Sequence, residues 1–157
     1  MKIVIDSREQ HPFTFEGRDD VEVVSGSLAT GDYSLAGLED RVALERKSLA
    51  DLVSCLTSGG RERFERELNR GRALDYFAVV IEAGFQELTG KQYRSNMDPH
   101  AAAQSILAFQ IRYKVPFVWA GSRRGAEYTT YWLLSKFLRE ASVRYQAIVK
   151  AHRPNGI

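Results

Sequence analysis

GDYSLAGLEDRVALERKSLAD, residues 31 to 51, changes its period partway along, and the rest of the chain is organised around that change. DYSLAG and RVALERK cluster β-formers on either side of a Gly-Asp turn region. From Ser48 the period becomes helical: Leu49, Leu52, Val53 and Leu56 recur until Gly59-Gly60 stops the run. The reading is two strands followed by a helix. Charge is crowded where a core should form, with Asp32, Glu45 and Asp51 set around the Arg46-Lys47 pair. In an extended strand, side chains at i and i+2 share a face roughly 6.5 to 7 Å apart, so Glu45 and Lys47 project together and Arg46 points the other way. A hairpin returns Asp32, at the start of the preceding strand, alongside the strand that carries Glu45. Carboxylates placed in this way bind Mg²⁺ or Mn²⁺ directly, and a neighbouring ammonium orients a water or offsets charge building on a phosphate. Asp51, one turn into the helix, could face the same mouth. Taken singly, each residue also fits a structural role. Ser48 to Asp51 matches a capping box worth ~1 kcal/mol, Asp32 after Gly31 matches a turn, and Glu45 with Lys47 matches an exposed ion pair worth under ~1 kcal/mol.

Working outward, KIVID (residues 2–6) is a short apolar run ending in Asp6, and VEVVSGSL is a further strand, separated from it by the loop HPFTFEGRDD. RERFERELNRGR (61–72) reads as a second helix with Phe64 and Leu68 on one face and Arg63, Arg66 and Arg70 on the other. YFAVVIEAG is continuously apolar and β-branched, a buried central strand that ends near Glu82, whose carboxylate reads most simply as a solvated strand end and otherwise as a support for the site. Residues 85 to 97 read as loop. Asp98-Pro99 opens a helix through about Tyr113, VPFVWAG is another strand, and a long helix runs from about Arg123 to Ala151. Strands first, then alternating helix and strand, predict an α/β fold, a mixed β-sheet flanked by helices, as one domain over residues 1–157. The last helix is apolar on a broad front. Leu134, Leu138, Ala141, Tyr145 and Ile148 form one stripe, and Trp132, Leu133, Phe137 and Val149 widen it, so a homodimer through this helix is one expectation and a wholly intramolecular core the other.

With 157 residues and 44% of them apolar, the chain can build its core without metals or crosslinks. No apolar run approaches the ~20 residues of a membrane span, and MKIVIDSREQ lacks the layout of a secretion signal, so a cytoplasmic protein that does not engage membranes is expected. Cys55, the single cysteine, reads as a small buried hydrophobe, and His11, His100 and His152 are scattered and carry no ligand role. The net charge of +2 hides an asymmetry: residues 1–60 carry 11 acidic against 6 basic side chains, whereas residues 121–157 carry 2 against 7. Basic surface of that kind can grip a polyanion.

The run of GD, twelve residues, ERK, three residues and D resembles the signature G-D-x(n)-E-R-K-x(3)-D of the XPF-type structure-specific DNA endonucleases (the XPF/Mus/Hef-like group), and Gly31, Asp32, Glu45, Arg46, Lys47 and Asp51 fill it. VIDSRE resembles that family's first-strand motif and contributes Asp6, Arg8 and Glu9, while GGRERFERELNR and VVIEAG fall where the family has an arginine-bearing helix and a core strand. The resemblance spans roughly residues 3 to 151. It implies a restriction-endonuclease-like nuclease domain that cuts branched, flap or fork DNA using Mg²⁺ or Mn²⁺. Asp32 and Glu45 would be metal ligands and Lys47 would position or activate the water. Asp6 and Asp51 would complete the acidic cluster, Asp6 as a further ligand, and Arg46 would be held by a nearby carboxylate or phosphate. Partner chains of such families keep the fold without the chemistry, so a non-catalytic DNA-binding or partner subunit is the alternative. Many members append a tandem helix-hairpin-helix module. For this chain, ending at Ile157, the expectation is a core that grips DNA with its own surface or through a separate DNA-binding partner. Arg61, Arg63, Arg66 and Arg70 are then the foremost phosphate contacts, against a solvated face paired with Glu62, Glu65 and Glu67, and Lys91 with Arg94 forms a second patch. A setting in a microbial nucleoid, or in host cytoplasm if the source is viral, fits that substrate.

Overall fold

The computed structural model describes residues 1–153, so the last residues of the expected domain, 154–157, lie outside it. Six strands, β1 (Lys2–Asp6), β2 (Glu22–Gly26), β3 (Tyr33–Leu35), β4 (Val42–Lys47), β5 (Tyr76–Ile81) and β6 (Phe117–Trp119), form one sheet in the order β2-β1-β3-β4-β5-β6. β3 is antiparallel to both neighbours, and the other pairings are parallel. The helices are α1 (Leu49–Leu56), α2 (Arg61–Gly71), α3 (Phe85–Thr89), α4 (Pro99–Tyr113) and α5 (Arg123–Ala151). This is the expected mixed sheet flanked by helices.

Strand alternation sorts the core into two layers. Ala43 of β4 with Phe77, Val79 and Ile81 of β5 packs under α1, α2 and α4, whereas Val42, Leu44, Ala78 and Val80 pack against α5 and the rings of Phe13 and Phe15. A strand covered on both faces has no polar side, hence the unbroken YFAVVI of β5. By the same alternation Glu45 belongs to the α1–α2 side and Arg46 to the α5 side.

One local expectation differs from the structure. Within residues 85–97 a short helix, α3, forms at 85–89, because the Glu87 carboxylate accepts from the Gly84 N–H at 2.6 Å and Leu88 is wholly buried. One turn is too short to show a period. β2 lies outside β1: its half-exposed pattern suits an edge, while Tyr33–Leu35 is buried throughout and takes the inner place. Gly71 is required by packing, since a Cβ there would sit 2.2 Å from the Phe77 ring.

Candidate functional site

The site begins with a turn. Gly31 has φ +79°, and a Cβ on it would lie 2.9 Å from the Ala43 Cβ and 3.1 Å from the Leu44 carbonyl, so only glycine lets the chain enter β3 this close to β4. Asp32 then locks into the sheet's end: its N–H donates to Leu44 O at 2.8 Å, and its carbonyl accepts from Asp6 N at 2.8 Å. Tyr33 pairs with Leu44, so the next pair along the antiparallel register is Asp32 and Glu45. The Asp32 carboxylate accepts from the Arg46 N–H at 2.8 Å, and the Glu45 carboxylate meets the Lys47 ammonium at 2.5 Å. All three side chains open into a cavity of about 580 Å³, whose walls include Arg8, Asp51, Arg63, Glu67 and Arg70.

Burial sets the electrostatics. It raises the Asp32 carboxyl to about 6 against the Arg46 N–H, and it raises Glu45 well above the usual carboxylate range, with Asp32 and Glu67 adding repulsion that Lys47 only partly offsets. Burial also opposes the Lys47 ammonium, but Glu45 and Glu67 together outweigh it and hold Lys47 protonated more firmly than a free lysine. Lys47 is therefore a cation and donor at neutral pH, not a base. The sequence makes Glu67 a partner for the arginine face of the helix. The structure turns it inward, 3.9 Å from Lys47. Residues 63, 67 and 70 share one helical face, and that spacing was the available signal.

Among the described residues, no group of three or more His, Cys, Asp or Glu side chains is arranged to hold a metal ion. Both oxygens of Asp6 are engaged: Arg8 donates to them through its backbone and guanidinium at 2.8 to 3.0 Å, and Leu28 N donates at 2.8 Å. The Arg8 hydrogen bonds outweigh burial and pull Asp6 down to about 2. Asp32 and Glu45 remain, two buried hard-oxygen donors with surplus negative charge. This donor set fits Mg²⁺ or Mn²⁺, which take one or two carboxylates and fill the other positions with water and phosphate oxygens. Because Asp32 is protonated below about 6, a cation competes with a proton there. Mn²⁺ affinity measured by titration calorimetry is accordingly expected to rise with pH through about 6, with proton release. A flat profile would remove Asp32 from the ligand set.

Arg46 lies on the other face of β4, in a buried network. Its guanidinium forks onto Glu9 at 2.9 Å on both arms and reaches Glu82 at 3.2 Å, and Glu82 also accepts from Arg123 at 2.8 Å. Arg123 in turn donates to the carbonyls of His11 and Pro12 at 2.9 and 3.1 Å. Glu82, for which a plainly solvated strand end was the simpler reading, is instead shared by two arginines.

Asp51 lies on α1 with its N–H bonded to the N-cap hydroxyl of Ser48 at 3.1 Å, and its exposed carboxylate borders the cavity. The arginines of α2 separate. Arg63 and Arg70 border the cavity, whereas Arg66 pairs with Glu62. Arg61 donates to Ser105 at 3.0 Å and lies over the Phe109 ring, a packing role. Lys91 and Arg94 are exposed between α3 and α4, outside the cavity wall. Arg8, absent from the expected DNA contacts, is exposed at the cavity's opposite rim.

Residues 5–133 match the family described as the ERCC4 domain. No curated protein matches the chain. Among solved structures, XPF from Aeropyrum pernix superposes with a TM-score of 0.65 at 19% identity, covering 99% of this chain and 76% of that one. A structure of XPF from the same organism in complex with DNA superposes with a TM-score of 0.63 at 18% identity, covering 88% and 66%. The shared architecture is the restriction-endonuclease-like fold.

Proposed function

Since this chain belongs to the ERCC4 domain family, we propose that it is a metal-dependent endonuclease that hydrolyses phosphodiester bonds in branched, flap or fork DNA. The observation that carries the reading is the Asp32–Glu45 pair on adjacent strands, set beside a protonated Lys47 in a cavity rimmed by Arg8, Arg63 and Arg70. That the similar XPF was solved with DNA supports the choice of polymer. Arg63 and Arg70 on one rim and Arg8 on the other would hold the phosphates flanking the scissile one. Lys47 would donate to a non-bridging oxygen of the phosphate or to the attacking water, stabilising charge that grows in the transition state. Hydrolysis joins the water oxygen to phosphorus and breaks one phosphorus–oxygen ester bond, leaving a phosphate and a hydroxyl. A Mg²⁺ or Mn²⁺ held by Asp32 and Glu45 would supply the Lewis acid that offsets the added negative charge.

In this reading residues 1–157 act as a single nuclease domain in the cytoplasm. Val143, Tyr145 and Ile148 are exposed on the outer half of α5, and they suit self-association through that helix. Light scattering over a range of concentrations checks this, and a persistent monomer removes it.

The deciding experiment incubates the purified protein with labelled duplex, single-stranded, flap and fork DNA, with and without Mg²⁺ or Mn²⁺. Metal-dependent cutting of branched substrates is expected, whereas binding without cutting would favour the non-catalytic partner subunit. Asp51→Asn separates capping from catalysis. Its N–H still bonds Ser48, so the thermal midpoint should not move, while cleavage is expected to fall by about tenfold or more through loss of one charge at the cavity. Unchanged cleavage would leave Asp51 a helix residue only.

A further inference from the structure

Arg124, Tyr128, Trp132 and Lys136 stand four residues apart on α5 and so form one line along the helix. All four are exposed, with Tyr128 at 60% and Trp132 at 36%, and core packing therefore does not account for two large aromatics side by side. Their rings lie 6.2 Å apart. The Lys136 ammonium is 5.2 Å from the Trp132 ring and the Arg18 guanidinium 5.7 Å. Arg18, from the loop between β1 and β2, is itself held 3.5 Å over Tyr131, whose hydroxyl bonds Asp20 at 2.7 Å. The inner ring thus anchors the arginine and also meets the Trp132 ring edge to face at 4.9 Å, so Trp132 is held in place and Tyr128 is the more open of the pair. From Arg124 to Lys136 the line runs about 18 Å.

We infer that this stripe is a second nucleic-acid contact, a stacking platform for the unpaired bases of a single-stranded DNA arm. The inference rests on the endonuclease reading above and names the feature of the substrate that the site selects. Exposed aromatics interleaved with cations are what sequence-independent single-strand binding requires, because every base has a face to stack and every nucleotide a phosphate to neutralise. A duplex keeps its base faces stacked on one another and offers the platform only its backbone. Glu16 and Glu127 line a cleft of about 330 Å³ beside Tyr128, and Glu127 accepts from the Phe15 N–H at 2.6 Å. Arg18 and Arg124 line the same cleft and offset these acids, so a backbone phosphate can lie over Arg124 and Lys136 while the bases meet the rings. The placement fits an arm leaving the cavity. Arg123, the residue before Arg124, is bonded to Glu82, and Glu82 also holds Arg46, the neighbour of Lys47. The cavity lies at the carboxyl ends of the parallel strands β4, β5 and β6 on the α1–α2 side, and the stripe starts at that end on the α5 side and runs along α5 toward their amino ends, where Tyr131 bonds Asp20 and Asp20 accepts from the Met1 ammonium.

The chain has two tryptophans, so Trp119→Phe leaves Trp132 as the only indole emitter. Titration with oligothymidylate is expected to quench its fluorescence saturably and in a salt-sensitive manner, and blunt duplex is expected not to. In the otherwise unaltered chain, Tyr128→Ala and Trp132→Ala are each expected to weaken oligothymidylate binding, measured by anisotropy, by about tenfold. Both should lower cleavage of a flap relative to a nicked duplex. Lys136→Gln should reduce the salt slope of binding by about one. Absence of quenching, or wild-type affinity in the alanine variants, overturns the platform. So does a dimer that dissociates in those variants while single-strand binding is unchanged, which would make the stripe a protein interface. If Trp119→Phe does not fold, the anisotropy measurements decide. A protein that quenches but cuts no DNA in the panel keeps the platform and loses the nuclease reading, and one that cuts without quenching does the reverse.

Discussion

Asp32→Asn and Glu45→Gln are each expected to reduce DNA cleavage by about 10²–10³-fold, the size of effect seen when one preorganised electrostatic group is removed from a reacting centre. Both keep their shape and lose their charge. The amide oxygen at position 32 still accepts from the Arg46 N–H, so the turn out of Gly31 and the approach of β3 to β4 are preserved. The folded state should not lose stability. Neutralising Asp32 relieves repulsion from Glu9 and Glu67, whereas neutralising Glu45 relieves repulsion from Asp32 and Glu67 but removes the nearest charge of Lys47, which then keeps Glu67, so that change is expected to be close to neutral. A thermal midpoint equal to or above that of the unaltered protein, measured without divalent cation, is therefore expected together with the loss of cleavage. Single-turnover cleavage of a labelled flap and a melting curve test the pair of outcomes. Full cleavage by either variant would refute its assignment as a ligand, and a large fall in the midpoint would mean that the carboxylate is structural.

Most of this site was legible because its signals are local. The change from β-forming clusters to helical spacing at Ser48 places Glu45 and Lys47 at the end of β4 and starts α1 one residue from the observed boundary. Asp98-Pro99 marks the start of α4 just as directly, with the Asp98 carboxylate accepting from the Ala101 N–H at 2.9 Å. What the sequence could not supply depends on which surfaces meet. The separation of Arg63 and Arg70 from Arg61 and Arg66 follows from how α2 sits against β5 and α4, since Arg61 finds Ser105 and Phe109 on α4. Glu67 turns inward for the same reason. β2 could not be placed beside β1 because a strand of five residues with one half-exposed face fits either edge of a sheet equally well. Glu82 looked like a solvated strand end because its two arginines lie 36 and 41 residues away in the chain.

That last pairing carries the second large effect. Arg46→Ala is expected to destabilise the fold by about 3–5 kcal/mol, because truncating one partner of a buried ion network leaves the others charged and desolvated. The Arg46 side chain is 8% exposed and that of Glu9 4%, so Glu9 stays largely out of bulk water when the guanidinium is removed. Glu82 keeps Arg123, whereas Glu9 keeps only the His11 N–H. The unpaired charge on Glu9 is thus the main cost, and Glu9→Gln in the Arg46→Ala background should recover part of the loss. The two single changes and the double change, compared by chemical denaturation, form a cycle whose coupling is expected to exceed about 1 kcal/mol. Additive effects would mean that the fork contributes little. Arg46→Lys discriminates further. It restores a positive charge without the planar fork that meets both oxygens of Glu9, so it should recover stability only in part. Arg46 fixes the site through its backbone, its N–H holding Asp32 while its side chain ties β4 to the loop after β1 and to the end of β5. Loosening that tie should move Asp32 relative to Glu45, and the Arg46 variants should then bind Mn²⁺ more weakly even at temperatures where they remain folded.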